Sequence, residues 1–246
     1  MNWSSSYFSH PGKRRQHNED AILARPDAGL WAVADGMGGH HNGALASRLI
    51  VDTLNALEMN DTLEQNQRRV RQALNQINRR LSTDVTRVAG QPPGPVGSTV
   101  VALIAGAGRA TCIWAGDSRC YLWRQNHLHL LTRDHSLFQH LITAGRMGAE
   151  RAAKHPGAYA LTRAIGAHEQ LRLDSTSFAI QAGDVLLLCS DGLYRQLTPA
   201  QLIEELKRGR SANAAARLVK NAMRGPAPDN LSAVVVSAVP ELSNAR

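Results

Sequence analysis

The stretch VADGMGGH at residues 33–40 follows the apolar residues LWA and decides how the chain is interpreted. An apolar run that ends in Asp-Gly is typical of a buried strand that delivers one carboxylate to an open sheet edge. Glycine at such an edge lets the backbone approach an ion or a ligand closely. The stretch DVLLLCSDG at residues 184–192 repeats the pattern. The sequence therefore predicts two strands that each present an acid at the tip.

Three further acids stand at the ends of predicted elements. Asp20 closes the segment RRQHNED, Asp117 follows an apolar run, and Asp229 precedes the alternating run at residues 231–239. A single Asp-Gly or Gly-Asp is most often an ordinary turn. Five carboxylates that all lie at element ends, taken together, instead predict an all-oxygen site for a hard divalent cation.

The ordered set of motifs resembles the bacterial metal-dependent serine/threonine phosphatases of the 2C type. The set covers the chain from about residue 5 to 239, and its order is more specific than any single motif. The matching residues are Arg15, NED at 18–20, DGMGG at 35–39, GST at 97–99, GDSR at 116–119, DH at 134–135, LTRAIG at 161–166, SDG at 190–192 and DN at 229–230.

The resemblance implies a centre of two metal ions that share a bridging water. By this resemblance Asp35 bridges the two ions, and Gly36 gives its carbonyl oxygen to one of them. Asp191 and Asp229 are expected to bind the other ion, and Asp20 is expected to act through waters or as an outer ligand. Mn²⁺ and Mg²⁺ both suit such an oxygen-only set. No set of histidines and cysteines has the spacing of a zinc site.

Two expectations concern groups around these ions. By the same resemblance Asp117, together with Asp191, holds a third and weaker ion. Arg15 is the predicted phosphate clamp, because a guanidinium fork matches two phosphate oxygens. An arginine in a basic run is also commonly just solvated, and Arg14 is adjacent. The five-residue spacing to Asp20 matches the family and favours Arg15.

One position departs from many eukaryotic relatives. These relatives have histidine directly after the first Asp-Gly, proposed as the acid that protonates the leaving alkoxide. Met37 stands there in this chain, as it often does in bacterial relatives. A thioether cannot donate a proton. His40 and His41 lie nearby, but adjacent loop histidines are more often simply solvated, so neither is assigned this role.

The fold is predicted as one α+β domain over residues 1–246. A chain of 246 residues with 43% hydrophobic residues can bury one large core. The resemblance narrows α+β to a four-layer α-β-β-α sandwich with two central antiparallel sheets and helices outside. Strands are predicted near 17–24, 29–35, 97–105, 109–116, 119–124, 171–180, 184–190 and 231–239, and helices near 42–58, 62–88, 199–208 and 211–224. A flap-like segment is predicted at about 136–168, although its apolar residues could equally well cap the core.

The net charge of +8 raises the question of nucleic-acid or membrane binding. Most arginines of the second predicted helix lie off its apolar stripe, as on a solvated helix face. Aromatic residues make up only 4% of the chain, so stacking platforms for single strands are scarce. We expect neither nucleic acid nor a membrane as a partner.

The N-terminal residues, the apolar runs and the cysteines indicate the cellular compartment. The polar N-terminal residues lack an apolar signal core, and the apolar runs are too short to cross a bilayer. Cys112, Cys120 and Cys189 form no Cys-x-x-Cys pair and are predicted to be buried free thiols. We expect a monomeric cytoplasmic protein.

The sequence thus predicts a metal-dependent phosphatase that hydrolyses phosphoserine and phosphothreonine on proteins and opposes a bacterial Ser/Thr kinase. Two alternatives stay open at this point. One is a hydrolase of small phosphate esters, and the other is a catalytically inactive binding module on the same fold.

Overall fold

The computed structural model describes residues 2–38, 42–85, 96–208 and 212–239. Its strands are β1 (Asn2–His10), β2 (Asp20–Arg25), β3 (Leu30–Met37), β4 (Gly97–Ser98), β5 (Val100–Gly106), β6 (Arg109–Ala115), β7 (Arg119–Arg124), β8 (His127–Leu130), β9 (Asp174–Ala179), β10 (Val185–Cys189) and β11 (Leu231–Val239). Its helices are α1 (Asn42–Asn55), α2 (Leu63–Arg80), α3 (Leu137–Thr143), α4 (Ala149–Ala153), α5 (Asp191–Tyr194), α6 (Pro199–Lys207) and α7 (Ala214–Ala222).

The strands form two antiparallel sheets. The first has the order β1-β11-β10-β7-β8, and the second has the order β2-β3-β5-β6-β9 with the short β4 paired to β3. Trp31, Val101, Leu186 and Val234 come from both sheets and share one buried cluster, which fills the space between the sheets. Direct hairpin connections such as β2–β3 and β5–β6 explain why the pairing is antiparallel.

Helices cover the outer face of each sheet. Ile50 of α1 and Leu74 of α2 pack into the outer cluster of the second sheet. Leu202 of α6 and Leu218 of α7 do the same for the first sheet. Three apolar clusters therefore separate four layers, and the predicted α-β-β-α sandwich is confirmed.

Helix α2 shows how local signals set an element. Thr62 caps the helix in a reciprocal capping box with Gln65, which satisfies two otherwise unpaired backbone N–H groups. Val70, Leu74 and Ile77 form its buried stripe. The arginines at 68, 69, 79 and 80 are exposed, as the sequence predicted. The helix ends at Arg80 and continues as a π-helical turn, Leu81–Val85, and positions 86–88 of the predicted helix lie outside the described residues.

Two strands, β1 and β8, and three helices, α3, α4 and α5, were not predicted; α3 and α4 lie in the segment predicted as a flap. Strand β1 is serine-rich and mostly half-buried, and it lacks the apolar alternation that signals a strand. It forms only because β11 offers a complete edge for pairing. Strand β8 and the four-residue helix α5 are too short to give a periodic signal. The strand predicted near 17–24 begins only at Asp20, which leaves Arg15 in a loop.

Two predictions about the rest of the chain were also tested. The three cysteines are buried free thiols, as expected. Among the described ranges, no helix combines the length and the apolarity needed to cross a membrane.

Candidate metal centre and phosphate site

The first pair of acids meets at the end of the β2–β3 hairpin. Asp20 lies directly opposite Asp35 in the antiparallel register. The backbone of Asp35 is held on both sides, because its N–H donates to Thr99 Oγ1 (3.1 Å) and its carbonyl accepts from Ser98 Oγ (3.0 Å). Like charges opposite each other destabilise a sheet. The hairpin thus presents two carboxylates where a cation would relieve their repulsion.

The second pair of acids is brought together by a glycine. Gly192 packs so closely on the segment before β11 that a Cβ there would lie 1.9 Å from the Asn230 carbonyl oxygen. Only glycine therefore lets the start of α5, with Asp191, approach Asp229. Gly36 plays the same part after β3, since a Cβ there would lie 2.1 Å from the Gly43 carbonyl oxygen of α1. The glycines of both Asp-Gly motifs are thus required by backbone packing.

Asn230 organises the loop that carries Arg15. Its side-chain amide donates to the carbonyls of Pro11 (2.9 Å) and His17 (3.1 Å), and its Oδ1 accepts from the Glu19 N–H (2.8 Å). Asn230 is buried, so these three bonds tie both ends of the loop to the start of β11. The sequence indicates Asn230 only as part of a motif, and this role was not predicted.

These elements enclose one cavity of about 300 Å³. Most of the predicted site residues line it, whereas Asp20 is not among the lining residues and accepts a hydrogen bond from Ser190 Oγ (2.8 Å). Its expected role as an outer ligand stays a prediction. The cavity is lined by Arg15, Glu19, Asp35, Gly36, Met37, Gly38, Thr99, Asp117, Tyr159, Leu161, Asp191, Arg195, Asp229 and Asn230.

The carboxylates of this site raise one another's pKa. Burial, opposed by hydrogen bonds from Ser190 and Ser232, raises the pKa of Asp20 to about 7. Burial and the charge of Asp191 raise the pKa of Asp117 to about 7. The pKa of Asp35 is also raised, by burial and then by the charge of Asp20. Such shifts mean that this set of carboxylates favours an added positive charge.

The residues present fit a hard divalent cation. Oδ1 of Asp20 is buried and has no hydrogen-bond partner in the structure, so it is an acceptor that needs a cation or a donor. Carboxylate oxygens are the ligands that Mn²⁺ and Mg²⁺ prefer, usually together with several waters. In the described part of the chain, no three His, Cys, Asp or Glu side chains are grouped tightly enough to hold one ion by themselves. The carboxylates line a shared cavity rather than converge on one point.

Arg15 and Asp229, predicted as phosphate clamp and metal ligand, are bonded to each other. Arg15 Nε and Nη2 donate to the two carboxylate oxygens of Asp229 at 2.9 and 3.0 Å. Both side chains remain partly exposed, at 53% and 39%. Arg14 is exposed and does not line the cavity. The structure therefore distinguishes the two arginines and gives Arg15 the position at the carboxylates.

Arg195 is a residue of this cavity that the sequence analysis missed. Its Nη2 lies 3.4 Å from Asp117 Oδ2 and 3.1 Å from Asp191 Oδ2. The spacing of four residues between Asp191 and Arg195 would have been the only signal, but no helix was predicted there, and such pairs are common on any helix surface.

The flap-like segment contains the short helices α3 and α4. Two isolated bridges tie its ends down, Ser136 to Leu161 and Ser98 to Ile165. Tyr159 and Leu161 reach the cavity, so the segment forms part of its wall. Leu141 is buried, which also agrees with the alternative that apolar residues of this segment cap the core.

In the motif at 134–135, His135 holds the backbone next to the cavity residue Asp117. His135 is buried, and its ring Nδ1 accepts a hydrogen bond from the backbone N–H of Gly116 (3.1 Å). The backbone N–H of His135 donates to the Gly116 carbonyl (2.9 Å). Its Nε2 then carries the proton and donates to Asp174 (3.1 Å). This double contact fixes the residue next to Asp117.

Met37 lines the cavity where the eukaryotic relatives have histidine. Its thioether donates no proton. His40 and His41 lie outside the described residues.

Comparison with known proteins identifies the family. The sequence profile "Protein phosphatase 2C" matches residues 4–231. The chain is 34% identical over 232 residues to the serine/threonine protein phosphatase PstP of Mycobacterium tuberculosis, covering 94% of this chain and 44% of PstP. It is 31% identical over 233 residues to the serine/threonine phosphatase stp of Listeria welshimeri, covering 92% of each protein.

Solved structures agree with these relatives. PppA, a key regulatory component of T6SS in Pseudomonas aeruginosa, is 39% identical with a TM-score of 0.85, covering 97% of this chain and 98% of that chain. The catalytic domain of PstP, solved in complex with two manganese ions, is 31% identical with a TM-score of 0.82, covering 97% and 99%. The chain spans less than half the length of PstP itself. With the profile, the sequence relatives and the solved structures each covering most of it, the chain belongs to the protein phosphatase 2C family.

Proposed function

We propose that the chain is a metal-dependent protein phosphatase that hydrolyses phosphoserine and phosphothreonine on proteins. The observation that carries the proposal is the set of buried, mutually repelling carboxylates beside a cavity that two arginines also enter. The names of PstP and stp as serine/threonine phosphatases support the choice of substrate. All five predicted acids are present, which argues against an inactive binding module.

Asp35, Asp191, Asp229 and the Gly36 carbonyl would hold two core ions, with Asp20 as an outer group. The manganese ions of the PstP catalytic domain support Mn²⁺ or Mg²⁺. When bound, such ions supply Lewis acidity, which lowers the pKa of a water toward 7 and neutralises phosphoryl charge. Ser98 and Thr99 keep Asp35 in place through its backbone.

Arg15 would bind the phosphate of the substrate. Its guanidinium is at the cavity, and its present partner Asp229 is a proposed ligand. With Asp229 serving as a ligand, the planar fork of Arg15 would be available to two phosphate oxygens. The same arrangement predicts that Arg15 slightly competes with ion binding at Asp229.

The partners and compartment are part of the same proposal. A phosphoprotein phosphatase requires a protein kinase of matching specificity, so we propose a bacterial Ser/Thr kinase as its counterpart. A monomer in the cytoplasm is consistent with three buried cysteines that remain free thiols.

The proposal is tested by hydrolysis of a phosphothreonine peptide with Mn²⁺, beside a phosphotyrosine peptide of the same sequence and a small aryl phosphate. We expect turnover of the phosphothreonine peptide and little of the phosphotyrosine peptide. Turnover of the aryl phosphate alone would instead favour the small-ester hydrolase, and no turnover of any substrate would favour the inactive module.

Arg15→Ala is expected to lower kcat/KM for the phosphothreonine peptide by about ten- to a hundredfold. A bidentate charged contact to phosphate is stronger than an ordinary hydrogen bond, roughly 1.5–3 kcal/mol, and its loss appears directly in kcat/KM. Arg15→Lys should restore only part of the rate, because it keeps the charge and loses the fork. Steady-state kinetics on one peptide measures both effects.

Arg14→Ala is the matched control, since Arg14 is adjacent, exposed and outside the cavity wall. It should change kcat/KM little. Equal losses in the Arg14 and Arg15 variants would show that a diffuse basic patch attracts the substrate, and the clamp would have to be abandoned.

A further inference from the structure

The carboxylates of Asp117 and Asp191 already share one cation, the guanidinium of Arg195. The two N–O distances are 3.4 and 3.1 Å, and both come from the same nitrogen, Nη2. The Asp117 side chain is only 7% exposed, and that of Asp191 is 17% exposed. Two such shielded carboxylates require a positive charge nearby, and Arg195 supplies it.

The Arg195 guanidinium also contacts the flap. Its Cζ lies 4.7 Å from the centre of the Tyr159 ring, within the range of a cation–π contact. Tyr159 itself is 58% exposed, and it stacks on Phe138 of α3 at 6.5 Å between ring centres. The ring of Tyr159 thus connects the flap helix to the cation held by the two acids.

We propose that Arg195 is a resident cation at the Asp117–Asp191 pair, that it competes with a third metal ion for these acids, and that Tyr159 couples this competition to the flap. The inference rests on the proposed function, because it takes Asp117 and Asp191 as groups able to bind an ion. It concerns how Arg195 limits access of an ion to Asp117 and Asp191. The proposed reaction at two core ions does not require this control.

Competition follows from charge and from space. A guanidinium and a divalent ion within a few ångströms of each other repel strongly even in a water-rich site. Nη2 already sits beside the oxygens that would bind the ion. An ion that enters must therefore displace the guanidinium, and the displaced side chain can no longer lie against the Tyr159 ring as it does now. Binding of the third ion is therefore coupled to loss of the contact between Arg195 and Tyr159 of the flap.

The first experiment counts bound Mn²⁺ by the electron paramagnetic resonance signal of the free ion. The wild-type protein should take up two ions tightly and a third only weakly. Arg195→Gln keeps most of the side-chain length and removes the charge, so it should bind the third ion at least about tenfold more tightly. Arg195→Lys, which keeps the charge, should stay close to the wild-type affinity.

Arg208→Gln is the matched control. Arg208, which directly follows α6, also bridges two acids, Glu204 and Glu205, but it does not line the cavity. It should leave the third affinity unchanged. Two tight ions in wild type and an unchanged third affinity in Arg195→Gln would overturn this inference and leave the proposed function intact. Failure of the wild type to bind two ions would instead overturn both.

The second experiment tests the flap without any measurement of turnover. Tyr159→Leu removes the ring face, and Tyr159→Phe keeps it. We expect Tyr159→Leu, but not Tyr159→Phe, to tighten the third ion and to speed tryptic cleavage at the exposed Arg151 and Lys154. Adding Mn²⁺ at concentrations that fill the third position should speed cleavage of the wild type as well. Identical cleavage of all three proteins, with and without the third ion, would show that the flap is not coupled to Arg195.

Discussion

Asp35→Asn and Asp191→Asn should each lower turnover of a phosphothreonine peptide by about 10³-fold or more while the protein remains folded. Each change removes one negative charge from the proposed ion site, and loss of a single electrostatic contact in an active site already costs about 10²–10³-fold. Loss of an ion removes several contacts at once. Measurements are kcat for the peptide and the number of bound Mn²⁺ ions.

The folded state should tolerate both changes. Burial and neighbouring acids raise the pKa of Asp35 and of Asp191, which means that their charges are unfavourable in the metal-free protein. Asparagine has the same shape without the charge, so the metal-free variants should be at least as stable as the wild type. A gain in stability together with a loss of turnover would show that the carboxylate is needed for activity and not for folding.

Asp52→Asn is the control, because Asp52 is exposed on α1 and outside the cavity wall. It should change neither ion binding nor kcat. If Asp35→Asn or Asp191→Asn retained two tight Mn²⁺ ions and normal turnover, that residue would not be a ligand.

The acids could be predicted from sequence because their signal is local. Asp35 and Asp191 each follow a continuous apolar strand, and this pattern reports both the strand and its exposed end. Asp35, Asp117, Asp191 and Asp229 line one cavity. Their precise ligand roles still rest on the resemblance and stay predictions.

The supporting groups could not be predicted because their partners are far away in sequence. Asn230 contacts Pro11 and His17, more than two hundred residues earlier, and nothing around Asn230 reports this. The Arg15–Asp229 pair likewise joins opposite ends of the chain. Strand β1 was missed for the same reason, since its pairing with β11, rather than its own composition, makes it a strand. The need for glycine at position 192 could not be predicted either, because it arises from the close approach of the Asn230 carbonyl, which is distant in sequence.

Chelation with EDTA should abolish turnover, and Mn²⁺ should restore it more readily than Ca²⁺. In protein treated with EDTA, repulsion among the buried carboxylates should make the free energy of unfolding depend on pH. The pKa of Asp20 rises from 3.8 to about 7 in the folded state, and so does that of Asp117. Between these pH values the folded metal-free protein binds more protons than the unfolded chain. The contribution of these groups is therefore present at low pH and is lost as the pH rises through about 7.

Bound Mn²⁺ should reverse that loss, since an ion replaces the protons. The quantity to measure is the difference in Tm between protein with Mn²⁺ and protein with EDTA, at pH 5 and at pH 8. Taking the difference cancels the contributions of groups whose pKa the ions leave unchanged. At an Mn²⁺ concentration of about 100 Kd the ion adds about 2.7 kcal/mol, which corresponds to about 5–10 °C for a chain of this size. We expect this gain at pH 8 and a clearly smaller one at pH 5, where protons compete for the same oxygens. An equal gain at both pH values would mean that the stabilising ion binds elsewhere than at these carboxylates, and full turnover in EDTA would remove the metal from the mechanism altogether.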